Sequence, residues 1–496
     1  MSTPLTQPEP ATDGSFLHDP DSFSAPDSPT MTFRDPAGQL LLAEGYALRR
    51  VRASAAEEAR AFLGSELRRE LERDGDLVSS EVIDPEENAM LESLSSPGDL
   101  WLRHPRIDPI SYPWEWTPVQ WRAAAELTLR VASKAVEAGW TLKDATPLNV
   151  LFQGARPVFV DVFSFERRNP YSSTWLAYGQ FVRTFLLPLV AARYLSWPLE
   201  GMLFARDGYE PAALYRALPR WRRFTPGLLD VVTLAALFDG KGKTPRKVKA
   251  ATTHPELATH ILHKRLARLG KQIRNSVNSE TSSEWSQYVQ TASHYQPADV
   301  EDKQQFVRLS LEQFRPEQVL DIGANTGTYS LMAAAVGAEV VALDCDTAAL
   351  ERLWHAAAAQ RKPITALVAN IARPTPAAGW RNREHLSLLD RLSGRFDMVL
   401  MLAVIHHLIL REQLPLAHIG DLCACLTRRW LIIEWVPPSD PMYQEWLRGR
   451  DHLYGHLSED DLMQAFAPHF LAAGRKALGN GRVLLLLERT GVGMAR

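Results

Sequence analysis

Between residues 300 and 490 short apolar runs alternate with stretches of helical period. VLDIG, VVALD, ITALV, FDMVLMLAVI, WLIIEWV and RVLLLLER are each separated by segments in which apolar side chains recur every three or four residues. Continuous apolar strands joined by helices predict a largely parallel sheet covered on both faces, an α/β domain of Rossmann-like type. The last run follows FLAAGRKAL and a Gly-Asn-Gly turn, so a terminal antiparallel hairpin is expected to complete a seven-stranded sheet.

The first 240 residues are patterned differently. Residues 31–51 (MTFRDPAGQLLLAEGYALRRV) alternate around Pro36-Ala37-Gly38 and predict a β-hairpin, and residues 53–75 predict one helix ending at a glycine. Another helix is expected over Trp121–Gly139, leading into the short strand-turn-strand of TLKDATPLNVLFQGARPVFVDVFSFE (141–166). Residues 171–240 are aromatic-rich and mostly helical by pattern. The segment 241–274 carries ten Lys/Arg against one acid, Glu256, and sets Ile261, Leu262, Leu266, Leu269 and Ile273 on one stripe. It reads as an interdomain helix resting its apolar face on a neighbour, or as a contact for an anionic substrate, nucleic acid or lipid. The chain thus divides into a tail (1–30), an α+β domain (31–240), a basic connector and lid (241–299) and the α/β domain (300–496).

Composition narrows the class. A length of 496 residues and a net charge of −3 suit a soluble protein of two or three domains. The first 30 residues hold six prolines, five acids and no Lys or Arg, which predicts a disordered acidic tail rather than a secretory signal. No apolar run approaches the ~18 residues of a membrane helix. Cys345, Cys423 and Cys425 are too few and too close for a disulfide framework or a zinc site, so a reducing, cytoplasmic setting and no metal are expected. Cations confined to one connector make nucleic acid the weakest partner.

The chemistry concentrates in VLDIGANTGTYS (319–330). A strand runs into Asp321, then a loop with Gly323 and Gly327, at the carboxyl end where open α/β sheets bind ligands. The spacing is not G-x-G-x-x-G, and a carboxylate beside a pyrophosphate would meet repulsion of about 4 kcal/mol at ~4 Å and an effective dielectric of ~20. S-adenosylmethionine (SAM) carries an α-ammonium and a sulfonium, to which Asp321 is attractive. VVALD ends in Asp344, placed to accept both ribose hydroxyls, while Asp346 should already be in the loop or helix cap. After the third strand, Asn370 and Ile371 can meet the adenine. His406 and His407 follow the fourth strand and titrate in the range of a base for a hydroxyl or amine, or else line the pocket without moving protons. If the strand continues through them, only one faces the pocket, with His407 ranked ahead. Glu434, ending the fifth strand, holds an acceptor group or caps the Pro-Pro turn. Trp285, Tyr288, Tyr295 and Lys303 are candidate acceptor-pocket walls, or packing residues. Ser458 and Asp461 read as a helix-capping pair.

These motifs resemble class I SAM-dependent methyltransferases, and ISYPWEW, LKDATPLNV, RPVFVDVFSFE, IARPTPAAGW and LAVIHHL resemble bacterial methyltransferase-like proteins related to the nodulation protein NoeA. The resemblance implies SAM binding by Asp321, Gly323, Asn325, Gly327 and Asp344, with Ala324, Asn370, Ile371 and Ala403 as further contacts. The expected activity is methylation of an O or N atom on a small-molecule or carbohydrate-like acceptor. A second resemblance, to protein kinases and aminoglycoside-phosphotransferase-like enzymes, lies in Asp144, Asn149 and Asp161. It implies Asp144 as base with Asn149 and Asp161 holding Mg²⁺. Leu142 stands where a His belongs, Phe163 replaces the last residue of the DFG position, and no lysine precedes Lys134, leaving Arg49 or Arg50 to substitute. The amino-terminal domain is therefore an active phosphotransferase, a degenerate kinase-like module for binding or scaffolding, or a coincidence of turn residues. A non-catalytic SAM-binding scaffold is the remaining alternative.

Overall fold

The computed structural model describes residues 36–491 apart from 44, 86–88, 239–253 and 278–295. The acidic tail, the first part of the basic segment, and Trp285, Tyr288 and Tyr295 lie outside the described residues. In the amino-terminal module, strands β1 (Gly38–Leu42), β2 (Tyr46–Val51), β3 (Glu81–Ile83) and β4 (Leu100–Pro105) form an antiparallel sheet of order β1-β2-β4-β3. The hairpin turns at Ala43–Tyr46, not at Pro36-Ala37-Gly38: Ala43 N donates to Tyr46 O at 2.9 Å and Gly38 already pairs with Val51. The helix expected over 53–75 is two helices, Ala53–Leu63 and Glu66–Arg73, because Ser65 accepts from Arg68 N and starts a new one.

Helix α1 (Pro118–Glu137) begins with a capping box between Thr117 and Gln120 and runs through the module's core. Four short strands follow, β5 (Trp140–Leu142), β6 (Val150–Gln153), β7 (Arg156–Phe159) and β8 (Phe165–Arg167), paired as β5-β8 and β6-β7. The basic helix α2 (Pro255–Arg274) buries Leu262, Leu266, Leu269 and Ile273 in the same core as Trp121, Phe181 and Phe185. Its cations are used locally: Arg265 donates to Ser173 O (2.9 Å) and Arg268 pairs with Asp230 (2.8 Å). This part of the expected connector therefore packs as an element of the amino-terminal module.

Helix α3 (Pro297–Phe314) opens the second module. Its sheet comprises β9 (Gln318–Ile322), β10 (Glu339–Asp344), β11 (Ile364–Val368), β12 (Phe396–Met401), β13 (Thr427–Trp435), β14 (Phe470–Ala477) and β15 (Val483–Arg489). Their order is β11-β10-β9-β12-β13-β15-β14, all parallel except β15, which is antiparallel to both neighbours. The expected terminal hairpin is β14–β15, and Ser458 with Asp461 forms the expected capping box. FDMVLMLAVI is not one strand. β12 stops at Met401, Ala403 takes a left-handed φ of 56°, and helix α4 (Ile405–Leu410) carries both histidines. The modules meet along β11, where Gln120 Nε2 donates to Ala366 O (2.9 Å) and the Trp354 ring packs on the amino-terminal core.

Candidate functional site

The carboxyl ends of β9 to β12 open into a cavity of about 840 Å³. Its walls include Gly323, Ala324 and Asn325 after β9, Asp344 closing β10, Asn370 and Ile371 after β11, and Ala403, His406 and His407 after β12. Lys303 from α3, Met442 and Arg482 also line the cavity. Gly323 sits at a φ of 75° against the Val404 side chain, where any Cβ would collide. Asp344 accepts from Asn325 N (2.7 Å) and Asp346 N (2.8 Å), which fixes the carboxylate on the wall, and burial pushes its pKa up. Asp346 accepts from Ala348 N and Ala349 N and so caps the next helix.

Two residues expected at the cofactor lie behind the wall. Asp321 is 1% exposed and its Oδ2 accepts from Ser330 Oγ at 2.6 Å. It lies on the same face of β9 as Val319, so its side chain points under the following helix. Burial pushes its pKa up to about 6. Gly327, φ 84°, leaves room for Leu353 where that helix packs on the next, a packing role rather than a cavity contact.

Because α4 is helical, strand alternation does not apply and both histidines line the cavity. His406 is 3% exposed, lies 5.6 Å from the Trp446 ring in a stacked arrangement, and its Nδ1 is buried with no hydrogen-bond partner. Burial, followed by the charges of His407, Arg482 and Lys303, holds its pKa well below the usual histidine range. Burial with Arg411 and Arg482 lowers His407 to about 4. Both rings are neutral at pH 7.

Glu434 does not line the cavity. Wholly buried, it faces Lys303 Nζ at 2.5 Å and Arg482 Nη1 at 3.5 Å, while Arg482 Nε donates to Asp440 at 2.7 Å. The cavity therefore meets the two cations, backed by two carboxylates. Arg482 escaped the sequence reading because nothing local marks an arginine that opens an apolar strand.

In the amino-terminal module Asp161 is engaged. Arg49 Nη1 lies 2.6 Å from Oδ1, Ser164 Oγ donates to Oδ2 at 2.6 Å, and Asn149 donates to Ser164 at 3.1 Å. Burial opposes the charge, but Arg49 and these donors keep the Asp161 pKa low. Asp144 is exposed, and no group of three metal-ligating side chains occurs among the described residues.

The buried rings give the fold a defined acid sensitivity. His104 and His407, held near 4 against an unfolded value of about 6.5, bind protons only in the unfolded chain between those limits. Stability is thus full above pH 6.5 and falls by about 3 kcal/mol per ring towards pH 4. Asp321, raised to about 6, works oppositely, returning about 3 kcal/mol as pH falls through 6. His355 and His406 are also held low, while Asp344 and Glu166 join Asp321 in being raised. The four lowered histidines outweigh the three raised acids, so the melting temperature is expected to drop from pH 7 to pH 5. An unchanged or higher value at pH 5 would contradict these environments.

With this geometry in view, the comparisons define the class. Residues 293–472 match the family model described as a methyltransferase domain. The chain carries a class I SAM-dependent methyltransferase domain, and SAM is its cofactor. Over 471 residues it is 29% identical to the nodulation protein NoeA of Rhizobium meliloti strain 1021, an alignment covering 92% of this chain and 95% of that protein. Similar solved structures include the N-methyltransferase NodS from Bradyrhizobium japonicum WM9 (14% identity, 39% of this chain, 97% of NodS, TM-score 0.29). The bifunctional kinase-methyltransferase WbdD is 18% identical over 39% of this chain and 40% of WbdD, with a TM-score of 0.29. No helix among the described residues is long and apolar enough to cross a membrane.

Proposed function

We propose that the protein methylates an oxygen or nitrogen atom of a small-molecule or carbohydrate-like acceptor, with His406 as the group that takes the acceptor proton. The observation that carries this is the neutral His406 ring on the cavity wall, its Nδ1 buried and without a partner. A buried nitrogen left unsatisfied is costly, and an acceptor O–H or N–H would satisfy it. SAM, when bound, supplies an electrophilic methyl group on a sulfonium. Around it, Asp344 accepts the ribose hydroxyls, Asn370 and Ile371 meet the adenine, and the loop at Gly323 to Asn325 approaches the ligand through its backbone. His407 packs against Trp446 at 4.2 Å and shapes the acceptor side. A concave cavity of about 840 Å³ suits a small acceptor beside the cofactor.

The amino-terminal module reads as degenerate in phosphotransfer. Its would-be metal ligand Asp161 is neutralised by Arg49, which supports a binding or scaffolding role.

Replacing His406 by Gln is expected to lower methyl transfer about 100-fold, the lower range for loss of general-base assistance, while SAM affinity stays within twofold. The check is transfer of labelled methyl from SAM into a host lysate, with the product fractionated. An unchanged rate would remove His406 from the chemistry. Label in protein or nucleic acid would overturn the acceptor class.

A further inference from the structure

The wall beyond β11, formed by Ala369, Asn370, Ile371 and Arg373, continues directly into Thr375. From there to Ser387 the chain forms only one 3₁₀ turn at Trp380–Asn382 and a single antiparallel bridge between Ala378 and His385. Such a segment is positioned by what it is tied to. Thr375 Oγ1 donates at 2.6 Å to Glu115 Oε1, a residue 260 positions earlier in the amino-terminal module. Glu115 is wholly buried and pairs with both terminal nitrogens of Arg391, one of them 3.0 Å from Oε2. Tyr112 N donates to Glu115 Oε2 at 3.2 Å, Tyr112 Oη accepts from Leu386 N at 3.0 Å, and the Arg391 guanidinium lies 4.7 Å above the Tyr112 ring. Leu388 N donates to Thr375 O at 2.9 Å, so both ends of the excursion are fastened to one node. The motif ISYPWEW supplies Tyr112 and Glu115 to that node, and IARPTPAAGW supplies Thr375.

We propose that Glu115 is a positioning residue for the cofactor site: the amino-terminal module holds the β11-side wall in place, and SAM affinity depends on that hold. The proposal rests on the reading of this cavity as the SAM site. A buried ion pair is often no more stabilising than apolar residues of the same volume. Its effect here is better understood as fixing one geometry of the Thr375 anchor, two residues from the wall. The adenosine part of the ligand should feel the anchor, and the methyl-transfer step should not.

The test uses the full-length chain and calorimetry with SAM and with 5′-methylthioadenosine. Thr375→Val removes one hydrogen bond without stranding a charge, and is expected to weaken both ligands by roughly five- to tenfold, the worth of one such bond. Glu115→Gln is expected to do the same or more. The KM for SAM should rise in step while the rate at saturating SAM holds, a split that a general loss of packing would not give. If Glu115→Gln does not fold, Thr375→Val alone decides. Wild-type affinities in Thr375→Val alongside lost binding in Asp344→Ala would overturn the proposal and leave the site assignment standing. Wild-type affinity in Asp344→Ala would overturn the site assignment itself.

Discussion

Asp344→Ala is expected to weaken SAM binding at least a hundredfold. The carboxylate is offered to two ribose hydroxyls, and hydrogen bonds to a charged group contribute about 1.5–3 kcal/mol each. It also fixes the wall, since Asn325 N and Asp346 N both donate to it. Alanine therefore removes the ribose acceptor and frees the loop that carries Asn325. Asp344→Asn keeps one oxygen and should fall between the two. Titration calorimetry of each variant is the check, and a loss under fivefold in the alanine variant would contradict the role given to this residue.

Arg482→Met is expected to cost about 3–5 kcal/mol of stability, the usual penalty for removing one partner of a buried ion network. Glu434 is wholly buried and Asp440 is 3% exposed, so water cannot replace the guanidinium. Lys303 remains on Glu434, but Asp440 loses its charged partner while still capping the helix Pro441–Leu447. Adding Asp440→Asn and Glu434→Gln to the methionine variant should recover most of the loss, because the penalty lies in the stranded anions. Denaturant midpoints of the two variants measure this. A single-variant loss below 1 kcal/mol would show that the network carries little.

The elements that sequence revealed were those with short-range signatures. Apolar runs such as ITALV and VVALD announce buried strands by themselves, and the acid ending VVALD stands at a strand end whatever the rest of the chain does. Asp321 shows the limit of that reasoning: its position was legible, but its direction depends on which face of β9 it shares with Val319. The strand-to-helix break at Ala403 was hidden because MLAVI is equally apolar in either conformation. Arg482 meets Asp440 and Glu434 across 42 and 48 residues, and Arg49 meets Asp161 across 112. Pairings at such distances leave no periodic trace in one sequence.

The seven-stranded sheet protects its two borders by different means. On β14, Arg475 pairs with Glu459 and Lys476 with Asp302, and charged side chains on an outer strand discourage a second sheet from adding to it. At the other border, Ile364–Val368 has no charged residue and is buried throughout, covered in part by Gln120 and its neighbours from the first module. Cut away from that cover, ITALV would be an apolar strand with unpaired backbone groups, the kind of surface on which chains self-associate. The amino-terminal module thus covers the apolar border of the methyltransferase sheet, the side that carries no charges of its own.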